Sequence, residues 1–304
     1  MVCAKGVTGP WIEEVGIVNY DSPRDIERTI RQLGIRLKKR WGQNFLINRG
    51  VREKLVSILD PRPGELVWEI GAGLGSMTDL LVNRCSMIFL FEIDWKIIGF
   101  LKGRFGAYSN LQIVPGDVVR KWKDVLQMHG RPDRIIGNLP YNSAAAIVAS
   151  FCEDNLLPRT TVFTVQRELA RRMTGPPGSK NYSAFSVLCR STYDIKLHGD
   201  INPGSFHPRP SVVSTIVELR PRLSGPTPMD RKLFSALVRA SFASRRKTLR
   251  NNLVAGPYLA EYNRQHILRA AGEEGIDLSK RGEVFSPEDF IRLSNRISRA
   301  SPNF

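Results

Sequence analysis

Short apolar runs alternate with helical spacing along most of this chain. Leu66-Val67-Trp68-Glu69-Ile70, Met87-Ile88-Phe89-Leu90-Phe91, Leu111-Gln112-Ile113-Val114, Ile135-Ile136-Gly137 and Thr160-Thr161-Val162-Phe163-Thr164-Val165 are the length of buried strands. Ahead of the first run, Val51, Leu55, Val56 and Leu59, and after it Met77, Leu80 and Leu81, repeat as one helix face does. Helices are also expected from Trp95, over 144–157 and over 166–173. Strand–helix alternation of this kind predicts an α/β fold with a largely parallel sheet. Two further strands, near 193–197 and 215–219, bring the expected sheet to seven, with a helix around 185–189.

The two ends of the chain differ from that pattern. Ser22-Pro23-Arg24-Asp25 offers a cap, a first-turn proline and an acid, and Ile26, Ile30 and Leu33 follow at helical spacing before Gly34. One short helix is predicted inside an N-terminal extension, residues 1–35. Ser224-Gly225-Pro226-Thr227-Pro228 has linker composition, and 229–304 reads as all helix. The expected organisation is thus an extension, an α/β domain over 36–223 and a small all-α domain over 229–304.

Polar groups gather where the strands end. After the first strand, Gly71-Ala72-Gly73-Leu74-Gly75 turns the chain into a helix. Its glycine spacing departs from the dinucleotide fingerprint and suits S-adenosylmethionine better than a pyrophosphate. Glu92 ends the second strand, 21 residues beyond Gly71, where a carboxylate can accept ribose hydroxyls. Asp94 is placed to cap the next helix, and Asp117, after the third strand, either meets an adenine amine or shapes a turn. The fourth strand runs into Asn138-Leu139-Pro140-Tyr141.

That last stretch suits methylation of an exocyclic nucleobase amine, whose lone pair is delocalised into the ring. If the Asn138 side-chain oxygen and the Pro140 carbonyl accept the two amine hydrogens, the nitrogen is drawn toward tetrahedral geometry and its lone pair is freed. Tyr141 can stack on the base, and Phe206, in Phe206-His207-Pro208-Arg209-Pro210, can cover its other face.

Charge points the same way. There are 45 Lys and Arg against 29 Asp and Glu, a net +16, which favours a polyanionic partner. The cations cluster at Lys38, Lys39 and Arg40, and again at Arg245, Arg246, Lys247 and Arg250. The second cluster has no local acidic balance in the sequence, which favours contact with nucleic-acid phosphate over a merely solvated face. The four cysteines form no CxxC pair and the four histidines are scattered, so no metal site or disulfide framework is indicated. The absence of a signal pattern and of a bilayer-length apolar run makes cytoplasm, and no membrane contact, the expectation.

With Gln43-Asn44-Phe45-Leu46, the glycine turn, Glu92, Asp117, Asn138-Leu139-Pro140-Tyr141, Phe206-x-Pro208-x-Pro210 and Arg245-Arg246-Lys247-Thr248-Leu249-Arg250 in order, the chain resembles the KsgA-type ribosomal RNA adenine dimethyltransferases over about residues 36–295. The resemblance implies a Rossmann-like, seven-stranded class I methyltransferase sheet with a small helical domain, acting as a monomer. It also implies S-adenosylmethionine as donor, S-adenosylhomocysteine as product, and dimethylation at N6 of two adjacent adenines near the 3′ end of small-subunit rRNA. Cofactor contacts then fall on Asn44, Leu46, Gly71, Gly73, Glu92, Asp117 and Asn138, with Tyr141 and Phe206 around the base. Asn142-Ser143-Ala144 departs from the family's usual Asn-Ile-Ser, and the 35-residue leader is extra to the core pattern. The rival readings are a macrolide-resistance-type methylase of large-subunit rRNA, a non-catalytic nucleic-acid-binding factor, and a small-molecule methyltransferase. The last leaves the basic surface unexplained.

Overall fold

The computed structural model describes residues 18–35 and 44–300, so the basic run Lys38, Lys39 and Arg40 lies outside the described residues. A seven-stranded sheet has the order β4-β3-β2-β5-β6-β9-β7. Its strands are β2 (Leu66–Ile70), β3 (Met87–Glu92), β4 (Leu111–Pro115), β5 (Arg134–Asn138), β6 (Thr160–Gln166), β7 (Tyr193–Ile201) and β9 (Ser214–Pro221). β2 pairs in parallel with both β3 and β5, β3 with β4, and β5 with β6, whereas β6 and β9 run antiparallel. The strand order reverses between β2 and β5. In open α/β sheets that is where ligands bind, beyond the carboxyl ends of the strands.

The apolar runs become central strands because both sheet faces are covered: Val67, Trp68, Ile88, Leu90, Ile135 and Ile136 are buried. A further pair, β1 (Phe45–Leu46) with β8 (Phe206–His207), matches Leu46 to Phe206 and Phe45 to His207. Two residues carry no periodicity, so these segments read as loops in sequence. The helix expected over 144–157 is shorter, Ala144–Glu153.

The chain forms two compact units that interleave in sequence. The first takes the described residues up to Ile147 with Pro158–Arg167 and Lys196–Arg220. The second takes Val148–Leu157, Glu168–Ile195 and the chain from Pro221 onward. In the second unit, Tyr182 and Phe290 flank Phe242 with ring centroids 5.8 Å apart in each pair, and the Tyr182 hydroxyl donates to Phe285 O at 2.7 Å.

Helix α1 (Pro23–Gln32) of the extension belongs to the first unit, and Ser22 caps it by accepting from Asp25 N at 3.2 Å. A ten-residue helix is marginal alone in water. Val18, Tyr20, Ile26, Ile30 and Ile35 are buried in the same core as Leu55, Leu81 and Leu101. At roughly 1.5–3 kcal/mol for each fully buried large apolar side chain, that burial is what holds the helix.

Candidate active site

A cavity of about 330 Å³ opens at the carboxyl ends of β2, β3, β4 and β5, and every residue lining it belongs to the first unit. Asn44, Leu46, Gly71, Gly73, Glu92, Asp117, Asn138 and Pro140 all line it, so four strand ends and the β1 segment converge on one site.

The glycine turn brings backbone to the cavity wall. Gly71 and Gly73 have φ of 72° and 55°, the left-handed region that side chains disfavour. A Cβ on Gly73 would meet the Phe45 ring at 3.3 Å, and one on Gly71 would lie 3.7 Å from Asn138 O. This cradle is open because neither residue has a side chain.

Glu92 is 6 % exposed and held by main-chain donors. Its Oε2 accepts from Gly73 N at 3.0 Å, and its Oε1 accepts from Ile93 N at 2.8 Å and Asp94 N at 2.9 Å. Burial pushes its carboxyl above the usual range, and these three bonds pull it back. A carboxylate has about four acceptor positions, so one remains, on Oε2. Asp94 caps the helix Trp95–Phe105 by accepting from Lys96 N at 2.9 Å, as the sequence suggested. Asp117 likewise caps the helix Val118–His129 through Oδ1, at 3.0 Å from Val119 N, while lining the cavity.

A second buried carboxyl lies on β2. Glu69 is fully buried and accepts from the Thr78 hydroxyl at 2.7 Å through Oε2, while Oε1 has no partner. Burial raises its pKa to about 8; the Thr78 bond opposes that rise and the charge of Glu92 adds to it.

The Asn138 carboxamide is fixed at both ends. Nδ2 donates to Asn44 O at 2.7 Å, and Oδ1 accepts a short bond from the Thr164 hydroxyl. Thr164 sits opposite Asn138 in the β5–β6 register and is fully buried. Sequence reading missed it; the available signal was a hydroxyl in an apolar strand at the partner position of the key amide. The carboxamide oxygen retains one lone pair, and Asn138 lines the cavity.

Two expectations need correction. The Pro140 carbonyl already accepts from Ser143 N at 3.1 Å and Ala144 N at 2.9 Å, at the entry to the helix Ala144–Glu153, so its lone pairs are used. No intramolecular hydrogen bond reaches the Leu139 carbonyl among the described residues. Phe206 is 2 % exposed and packed in the core through its pairing with Leu46, so it offers no ring to a base in this arrangement. Tyr141 is half-buried, and its hydroxyl lies 2.7 Å from Ser214 Oγ. Burial raises that phenol, and the Ser214 bond opposes the rise.

The second basic cluster is exposed: Arg245, Arg246 and Lys247 lie in the turn before the helix Leu249–Ala255, and Arg250 in its first turn. Arg245 is balanced after all: it donates to Lys180 O at 3.0 Å and lies 4.0 Å from Glu283. Arg246, Lys247 and Arg250 have no acidic partner among the described residues. Within those residues no group of three or more His, Cys, Asp or Glu could hold a metal ion, and no helix is long and apolar enough to cross a membrane.

A family model described as Ribosomal RNA adenine dimethylase matches residues 34–298. The chain is 39% identical over 281 residues to "Ribosomal RNA small subunit methyltransferase A" of Treponema denticola, covering 92% of this chain and 96% of that one. It is 38% identical to the protein of the same name from Borreliella burgdorferi, with the same coverage. Among solved structures, a dimethyladenosine transferase from Plasmodium falciparum superposes with a TM-score of 0.67 at 22% identity, covering 83% of this chain and 96% of that one, which supports the fold. The donor such enzymes use fits the residues here: the cavity is of ligand size, its glycine cradle admits a close approach, and Glu92 keeps one acceptor position. The chain belongs to the ribosomal RNA adenine dimethylase family and is an S-adenosylmethionine-dependent rRNA adenine dimethyltransferase.

Proposed function

We propose that this enzyme dimethylates N6 of two adjacent adenines in a hairpin loop near the 3′ end of small-subunit rRNA, during subunit assembly in the cytoplasm. It does so as a monomer and without a metal. The names of its relatives support the choice of subunit. The observation that carries the chemistry is the Asn138 carboxamide, clamped between Thr164 and Asn44 on the wall of a cavity that also holds Gly71 and Glu92.

Bound S-adenosylmethionine supplies an electrophilic methyl carbon on a sulfonium. The chain's own residues position and align. Glu92 accepts a ribose hydroxyl through Oε2, and Asp117 takes the adenine amine through the oxygen not used in its cap. Asn44, Leu46, Gly71 and Gly73 enclose the rest. On the target side, the remaining lone pair of Asn138 Oδ1 accepts one amine hydrogen, and the free Leu139 carbonyl, in place of Pro140, accepts the other. The amine lone pair then points at the methyl group. Holding the reacting atoms in line makes a bimolecular step effectively unimolecular. Tyr141 stacks on the flipped adenine, whose unstacking costs least in a loop. Residues 36–223 serve as the methyltransferase domain and 229–304 as the RNA-binding domain. Lys38, Lys39, Arg40, Arg245, Arg246, Lys247 and Arg250 supply phosphate contacts.

The test is transfer of labelled methyl groups to purified immature small subunits, large subunits and free DNA. Label should enter the small subunit alone, at two adenines. Label in the large subunit would establish the macrolide-resistance-type reading instead, and no label in any substrate would favour the non-catalytic one.

A further inference from the structure

Two residues that line the cavity, Tyr20 and Ile26, come from the N-terminal extension, ahead of the family match that starts at residue 34. Both are buried, at 6 % and 1 % exposure. The segment is tied down at each end. Near its start, Asp21 pairs with the buried Arg52, whose Nη1 donates to Ser76 O at 3.1 Å and whose guanidinium lies 5.8 Å from the centre of the Tyr20 ring. Near its end, Lys96 Nζ donates to Gly34 O at 2.5 Å. Arg52 therefore joins the Tyr20 ring to Ser76, which lines the cavity just past the glycine turn. Lys96 is in the helix Trp95–Phe105, two residues beyond its cap Asp94.

We propose that residues 18–35 are a wall of the donor site, that Tyr20 is a donor-binding residue packing against the amino-acid tail of the S-adenosyl group, and that Arg52 is the positioning residue that holds it there. The inference rests on the reading of this cavity as the donor site. With the ribose and adenine assigned to Glu92 and Asp117, the Ser76 end is left for the tail, and Tyr20 stands at that end. Its contribution is the ring, because the hydroxyl is buried and makes no hydrogen bond among the described residues.

The test measures ligand binding to the full chain by calorimetry, without RNA. Tyr20→Ala should weaken S-adenosylhomocysteine about tenfold, the loss of one aromatic contact. The same change should leave 5′-deoxy-5′-methylthioadenosine, which lacks the amino-acid tail, within about twofold, and Tyr20→Phe should restore binding of the full ligand. Equal loss for both ligands, or none for either, overturns the assignment to the tail. Because Tyr20→Ala also removes a core ring, hydrogen exchange on the wild-type protein gives a second reading. Saturating S-adenosylhomocysteine should slow amide exchange in residues 20–33 severalfold, and unchanged exchange overturns the wall. If the wild-type chain does not bind S-adenosylhomocysteine, the donor-site reading itself fails, a result distinct from either of these.

Discussion

The two ends of the cavity are prepared by different parts of the chain. At the Glu92 end a carboxylate is fixed by three main-chain N–H groups, from Gly73, Ile93 and Asp94. At the Asn138 end a carboxamide is fixed by a side-chain hydroxyl, from Thr164, and one main-chain carbonyl, from Asn44. The first arrangement follows from strand–turn–helix topology and tolerates change in neighbouring side chains. The second depends on particular atoms of particular residues, so single-atom substitutions should separate the two.

The largest effect is expected at the amide. Asn138→Ala removes the acceptor that meets the amine in the reacting geometry, and turnover should fall by about 10²–10³ or more. RNA affinity, measured by filter binding, should stay nearly intact; wild-type turnover in this variant would remove Asn138 from its role. At the other end, Glu92→Ala takes the acceptor from three N–H groups, that of Asp94 in a buried bond and those of Gly73 and Ile93 in part-buried ones, and a buried donor left unsatisfied costs about 1–3 kcal/mol. Both thermal stability and S-adenosylhomocysteine affinity should drop, affinity by roughly 10–100-fold if a charged hydrogen bond of about 1.5–3 kcal/mol is lost. Loss of stability with affinity preserved would make Glu92 a structural residue only.

Glu69 sharpens the contrast, because a single hydroxyl holds it where Glu92 has three amides. Its pKa is raised from 4.5 to about 8, so the folded state binds a proton that the unfolded state has released over that window. Stability from this group is complete below the unfolded value and is lost as pH rises toward about 8. Glu69→Gln keeps an acceptor for Thr78 and cannot ionise. Relative to wild type it should gain stability progressively from pH 5 to 8.5, by up to a few kcal/mol, in denaturant titrations. Parallel curves would show that Glu69 does not titrate in this range.

What the sequence makes legible here is what short-range pattern encodes. The strands follow from apolar runs, and their ends follow from where those runs stop, which is enough to place Gly71, Glu92, Asp117 and Asn138 on the one cavity they line. Occupancy of lone pairs is not written in residue letters. Pro140 looked free because nothing in Asn-Leu-Pro-Tyr shows that Ser143 and Ala144 turn their N–H groups onto its carbonyl. Phe206 looked exposed because prolines surround it, yet pairing with Leu46 draws its ring into the core. Tyr20 and Ile26 reach the cavity through contacts with distant residues, which helical spacing alone cannot locate.

The smallest expected effect isolates the orientation of the amide from its presence. Thr164→Val replaces a fully buried hydroxyl with a methyl group of similar size, leaving Asn138 in place and its Nδ2 still on Asn44 O. The carboxamide then loses the bond that fixes its oxygen, and rotation about its last torsion becomes easier. Turnover should fall about tenfold, as expected for loss of one ordinary hydrogen bond of about 1–1.5 kcal/mol, while S-adenosylhomocysteine affinity stays within about twofold. Thr164→Ser, which keeps the hydroxyl and drops the methyl, should recover most of the rate. If the serine variant is as slow as the valine variant, packing at this position matters and the hydroxyl does not, and the clamp on Asn138 reduces to its bond with Asn44.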